Sequence, residues 1–251
     1  FEFFCFKFFS HTSKKNLDEA ILSDTSSFYY VDVKNYPVKN KKLPIGIFDS
    51  GIGGLTVMDA IVKYDGFNNQ NKTLSSDGIL DFEKECFIYL ADQANMPYGN
   101  YPSLNKTDVL KEHILKNLQF LLSNKYYQSS SDEEFKIDKS PVKAIVIACN
   151  TATAYGMEDI EAFLKKAKLD IKVIGVINAG VKGAFENLSN NENCSIGVMA
   201  TEGTVLSNGY RNTIDKYHYD LTYKGEIKTF QQAGIGLAGA IDGVIDYINT
   251  R

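Results

Sequence analysis

From Leu43 onward, short β-rich apolar runs alternate with segments whose apolar positions recur every three or four residues. The runs are PIGIFD (44–49), CFIYLAD (86–92), KAIVIAC (143–149), IKVIGVI (171–177), CSIGVMAT (194–201) and the weaker EIKTFQQ (226–232). This alternation predicts βα units around a parallel sheet, an α/β fold. Several runs are apolar almost throughout, which suits strands covered on both faces. The clearest helix lies in LNKTDVLKEHILKNLQFLLSNKYY, where Val109, Leu110, Ile114, Leu118, Leu121 and Leu122 form one stripe. His113 falls in that helix and reads as a solvated or partly packed side chain rather than a ligand. Two polar inserts, GFNNQNKTLSSDG and QSSSDEEFKIDKS, read as surface loops, and there is no internal repeat.

Composition narrows the setting. A chain of 251 residues with 44% hydrophobic and 12% aromatic content can bury one large α/β domain or two smaller ones. The net charge of -4, from 27 basic and 31 acidic residues, forms no basic stripe, so nucleic acid is set aside as a partner. Cys5, Cys86, Cys149 and Cys194 make no CxxC and no close His/Cys set, which indicates neither a zinc site nor a disulfide framework. The first residues, FEFFCFKFF, begin without Met and are broken by Glu2 and Lys7; the run is too short and too charged to span a bilayer. Residues 1–42 read as a disordered or poorly defined extension, with the remnant of an export signal as the alternative.

In an open parallel sheet, ligands bind beyond the carboxyl ends of the strands. Those ends carry Asp49 and Ser50 before GIGG, Asp92 before MPYG with Tyr98 and Gly99, then Cys149, Asn150 and Thr151, and finally Thr201 and Thr204. Taken singly, each has an ordinary reading as a cap, a turn or a core cysteine. Together they face one crevice. A cysteine opening a helix among hydroxyl and amide groups has its thiolate favoured by the helix N-terminus, which is the place of a nucleophile or base. GIGGLT fails the dinucleotide pattern at Thr56; GIGLAG (234–239) matches it but lacks the later acidic residue, and reads as small-residue packing on a strand.

PIGIFDSGIGGLTVMDAI, YLADQANMPYG, AIVIACNTATA, VIGVINAG and IGVMATEGTV stand in the order and approximate spacing of the glutamate racemases. The chain resembles that family, part of the cofactor-independent aspartate/glutamate racemase superfamily, from Pro44 to Thr204 and more faintly to Asp242. The resemblance implies two α/β lobes, 43–177 and a partial 178–251, clasping glutamate or a related dicarboxylic amino acid. It implies two-base proton transfer between opposed thiols, without pyridoxal phosphate, other cofactor or metal, supplying D-glutamate to peptidoglycan. Cys149 matches the first catalytic cysteine and Asp49 the aspartate that orients or activates its side. Ser50, Pro97, Tyr98, Gly99, Asn150, Thr151, Thr201 and Thr204 match positions that hold the substrate's charged groups. The family default is cytoplasmic and leaves room for a homodimer, while the odd N-terminus keeps an exported form open.

The departures carry equal weight. The family's second motif, Gly-Cys-Thr-His, is absent. Cys86 and Cys194 begin their runs, so at about 3.3 Å per residue each lies roughly 20 Å from the strand end that bears Cys149. VINAG and QQAGIGLAGAIDG also differ from the family's usual residues. The expectation is an incomplete racemase, inactive or impaired as this piece. The alternatives are a single-cysteine decarboxylase or isomerase of dicarboxylates and a non-catalytic dicarboxylate-binding module.

Overall fold

A computed structural model describes residues 14–241 and residue 243. In chain order its elements are α1 (Lys14–Leu22), β1 (Ile45–Asp49), α2 (Gly54–Val62), β2 (Phe87–Ala91), α3 (Asn100–Ser103), α4 (Thr107–Leu122), β3 (Ala144–Ile147) and α5 (Asn150–Ala167). They continue with β4 (Lys172–Gly175), α6 (Val176–Glu186), β5 (Cys194–Ala200), α7 (Glu202–Leu206), α8 (Gly209–Asp220), β6 (Ile227–Ala233) and α9 (Leu237–Ile241). All six apolar runs are strands. The first four form a parallel sheet ordered β2-β1-β3-β4, and β5 pairs in parallel with β6 in a second sheet. The α/β fold with parallel βα units is therefore as the alternation of patterns requires.

Register places the chemistry. Ile45 lies beside Phe87 on one side and Ala144 on the other, so Asp49, the residue after Ala91 and the residues after Ile147 emerge at one edge of the sheet. β1 is buried at every position, the consequence of a central strand with helices over it. At Gly46 even a methyl group would come within 3.1 Å of Leu121, so the glycine lets α4 lie close on the strand. Gly156 does the same between helices, where a Cβ would meet Ile114 at 2.5 Å. β4 is shorter than its apolar run. Its last residue, Gly175, pairs with Ile147, after which β3 gives way to α5 and leaves Val176 and Ile177 no strand neighbour; they open α6 instead.

The main core takes in residues expected to lie outside it. Leu17, Ile21, Phe28, Tyr29, Val31 and Tyr36 are buried with Leu110, Ile114, Leu118 and Leu121 of α4. The Tyr36 hydroxyl donates to the carbonyl of Val142 at 2.7 Å. This corrects the reading of residues 1–42 as a loose extension from Leu17 onward: a sparse but well-placed apolar set beats a polar average. It also explains why α4 is buried nearly all round. Lys116 and Glu112, on the face away from the sheet, form a buried ion pair at 2.6 Å, and the Lys116 ammonium lies over the Tyr29 ring. The start of the chain with Cys5 lies outside the described residues.

A second, smaller core of Ile177, Val181, Phe185, Val198, Ile214 and Tyr223 serves β5 and β6. The two inserts are exposed turns over most of their length, except that Lys139 is buried at the end of the second. Among the described residues, no helix is long and apolar enough to cross a membrane.

Candidate active site

The carboxyl edge of the first sheet borders a cavity of about 510 Å³. Asp49, at the end of β1, is buried, with one carboxylate oxygen accepting the Ser50 N–H at 2.8 Å and the other the Gly54 N–H at 2.7 Å. The turn closes this tightly because Gly54 has no side chain: a Cβ there would stand 2.9 Å from those of both Ala148 and Asp49. Asp49 is thus a fixed acceptor, unable to swing. Tyr89 of β2 supports the same turn from beneath, its hydroxyl donating to the carbonyl of Gly51 at 3.1 Å.

Cys149 caps α5 from an extended conformation, its sulfur accepting the Ala152 N–H at 3.4 Å and lying 3.5 Å from the Ser50 hydroxyl. The helix-start setting leads one to expect a thiol with a lowered pKa. The opposite holds. Burial pushes the Cys149 pKa up, and the neighbouring Asp49 charge adds to the rise, against weaker opposing bonds from Ser50 and the Ala152 N–H. Burial and the Asp49 charge both favour the thiol over the thiolate.

On the β2 side, Asp92 is buried beneath the crevice and saturated: Asn95 donates to one oxygen at 2.7 Å, and Tyr98 and Asn117 to the other at 2.5 and 3.0 Å. Tyr98 is 2% exposed, and burial followed by the Asp92 charge raises its pKa well above the usual tyrosine value. Its hydroxyl is committed to Asp92, so Tyr98 offers the crevice its ring and backbone. Asn117, on the buried face of α4, was missed from sequence; an amide interrupting the apolar spacing at 114, 118 and 121 was the available signal.

The second sheet closes on this edge through α7. The Gly203 backbone abuts Gly99 so closely that a Cβ would lie 2.6 Å from the Gly99 carbonyl oxygen, and the Tyr155 hydroxyl donates to the Gly203 carbonyl at 3.0 Å. Three hydroxyls follow in a chain, Thr151 to Thr204 at 3.1 Å and Thr204 to Thr201 at 3.0 Å. Thr151 and Thr201 line the cavity with Asp49, Ser50, Pro97, Tyr98, Gly99, Cys149 and Asn150. Thr204 does not; it is buried behind them and acts through its two neighbours. Eight of the nine other residues singled out for substrate or catalysis are thereby joined to Cys149 around one space, the ninth, Thr204, standing one hydrogen bond away.

No family model matches the chain. Among curated proteins, it is 32% identical over 181 residues to the glutamate racemase of Oceanobacillus iheyensis, covering 72% of this chain and 50% of that protein. It is 36% identical to the glutamate racemase of a Carnobacterium species, covering 69% of this chain and 48% of the relative. The chain is a relative of the glutamate racemases. The crystal structure of glutamate racemase from Campylobacter jejuni matches with a TM-score of 0.50 at 25% identity, over 80% of this chain and 61% of that one. The chain spans about half the length of the curated glutamate racemases it matches.

Among the described residues, the thiols fall into two groups. Cys149 faces the crevice, while Cys86 precedes β2 and Cys194 opens β5, both at the amino ends of their strands and away from the edge that holds Cys149. GIGLAG, the near-dinucleotide motif, forms the turn from β6 into α9, where a Cβ on Gly234 would touch Leu237 and Met199 at 3.4 Å. That is close packing of small residues. Ala238 and Ile241 of α9, together with Met96, Val176 and Tyr210, line the crevice without having been foreseen. They come from elements far apart in sequence, and nothing local marks them.

Proposed function

We propose that this crevice transfers a proton at the α-carbon of glutamate or a related dicarboxylic amino acid, the chemistry of an amino-acid racemase. The observation that carries the reading is the Cys149 sulfur, held at the start of α5 between Ser50 and the Ala152 N–H, over a pocket whose polar groups among the described residues are hydroxyls, an amide and one fixed carboxylate. An arriving ammonium group is attracted by Asp49 and offsets its charge. The thiol, favoured by burial and by that same carboxylate, then loses its proton to solvent water more readily. The thiolate takes the α-hydrogen: the C–H bond breaks, the S–H bond forms, and the electron pair moves into the α-carboxylate. The hydroxyl chain Thr151–Thr204–Thr201, which can spare one of its three hydrogens, and the N–H groups opening α5 suit the growing negative charge.

Delivery of a proton to the opposite face would complete racemisation, and on this reading 43–177 and 178–251 are the two lobes between which it would occur. A second reading has one observation behind it. Among the described residues Cys149 is the sole thiol at the crevice, which suits a one-base isomerase or decarboxylase acting on the same class of substrate. With the racemase reading go the family's cytoplasmic setting and the supply of D-glutamate to peptidoglycan precursors, and it is compatible with a homodimer. The test is protection: L- or D-glutamate should slow alkylation of Cys149 by iodoacetamide and leave Cys86 labelling unchanged. If neither enantiomer slows it at high millimolar concentration, the assignment of the crevice to glutamate fails.

A further inference from the structure

We propose that Tyr210 is a positioning residue of the crevice, its hydroxyl fixing the side-chain amide of Asn150 so that the NH2 group faces the cavity as a donor to a ligand carboxylate. The proposal deepens the dicarboxylate reading and rests on it. Tyr210 is the second residue of α8, and its ring packs on the smaller core while lining two spaces at once. One is the crevice. The other is an apolar cavity of about 260 Å³ among Val181, Ile196, Val198 and Ile214. From that anchored ring the hydroxyl donates to Oδ1 of Asn150 at 2.7 Å.

Asn150 is the first residue of α5, adjacent to Cys149, and is itself exposed on the crevice wall. An amide offers one acceptor and two donors at opposite ends of a plane. With its oxygen turned to Tyr210, its N–H groups point away from that bond and into the space Asn150 lines. The negative charge of Asp49, on the same cavity, favours the same orientation. Without the hydroxyl the amide is free to turn its oxygen inward, where it would repel a carboxylate. The contact also joins elements of the two cores, since Tyr210 belongs to the smaller one and Ala152, two residues past Asn150, to the larger.

Iodoacetate and iodoacetamide test this on the 251-residue chain. Both alkylate a thiolate with loss of iodide and differ in that one carries a carboxylate where the other carries an amide. Rates at Cys149 would be followed by peptide mass spectrometry in the parent chain, Tyr210→Phe, Asn150→Ala and the double variant. The expected result is a fall of about three- to tenfold in the iodoacetate-to-iodoacetamide ratio for each single variant, as for the loss of one hydrogen bond of ordinary net strength at an exposed side chain. The double variant should fall no further, and the iodoacetamide rate and melting temperature of Tyr210→Phe should stay near those of the parent. A parental ratio in Tyr210→Phe, or an equal fall in both rates, overturns the proposal. Asn150 is exposed, and with a melting temperature near the parent's a parental ratio in Asn150→Ala overturns it as well. If glutamate gives no protection of Cys149 while the ratio still drops, the substrate reading is lost and the role of Tyr210 stands.

Discussion

Substituting Gly54 by Ala should damage both stability and site, and the structure sets the scale. The added Cβ would lie 2.9 Å from the Cβ atoms of Asp49 and Ala148 and 3.0 Å from the Tyr89 hydroxyl, against 3.4 Å for ordinary contact. Two of the three obstacles are Cβ atoms, which move only with their backbones. The turn must therefore lift by about half an ångström, and the Gly54 N–H to Asp49 bond, now 2.7 Å, lengthens with it. Overpacking of this kind costs about 1–3 kcal/mol. Replacing glycine at a helix start returns roughly 0.5–1 kcal/mol of backbone entropy. Taking the middle of each range, the net loss is about 1 kcal/mol, which leaves a domain with a stability of order 5–15 kcal/mol folded. Urea denaturation would read it as a midpoint lowered by roughly 0.3–1 M, for a slope of about 1–3 kcal/mol/M. Iodoacetamide labelling at fixed pH should change in the same variant, because Asp49 and Ser50 move relative to Cys149. A Gly54→Ala chain as stable as its parent would refute the tight turn.

Burial and Asp49 both hold the Cys149 pKa up, so its alkylation rate against pH should reach half-maximum above the range of a free cysteine, and Asp49→Asn should bring that point down. A half-point below the free-cysteine range would contradict the charge balance proposed for the site. Burial lowers the Lys139 pKa to about 7 from 10.5. The unfolded chain binds the extra proton between those values, so this group makes stability rise as pH climbs from about 7 toward 10.5; Lys139→Met should flatten that part of the urea-midpoint profile and raise stability at neutral pH. Leu17 is fully buried, and Leu17→Ala should cost about 2–5 kcal/mol in the same denaturation assay, against nearly nothing if the segment were loose.

Strands were legible where the sequence is apolar throughout, as in β1 and β3, and much of the crevice lining was legible because those residues follow the strands directly. What local pattern could not supply was pairing across distance. The end of β4 depends on where its neighbour β3 stops, which no residue of β4 reports. Leu17 and Ile21 sit in a polar stretch and count only because α4 offers them a second apolar surface. Tyr210 and Asn150 are 60 residues apart and meet through the packing of α8 near α5. For Cys149 the position was readable and the pKa direction was not: a helix start lowers it, while burial and the Asp49 charge, visible only in three dimensions, raise it further.

The central claim is that Cys149 moves the α-proton of an amino acid bound in this crevice. It is tested most directly by incubating the 251-residue chain with L- and D-glutamate separately in deuterated water and following the α-hydrogen by proton NMR. With one thiol facing the crevice among the described residues, the prediction is exchange in one enantiomer without inversion, lost in Cys149→Ser, since a hydroxyl is a far poorer base than a thiolate at neutral pH. Exchange that survives Cys149→Ser would contradict the account.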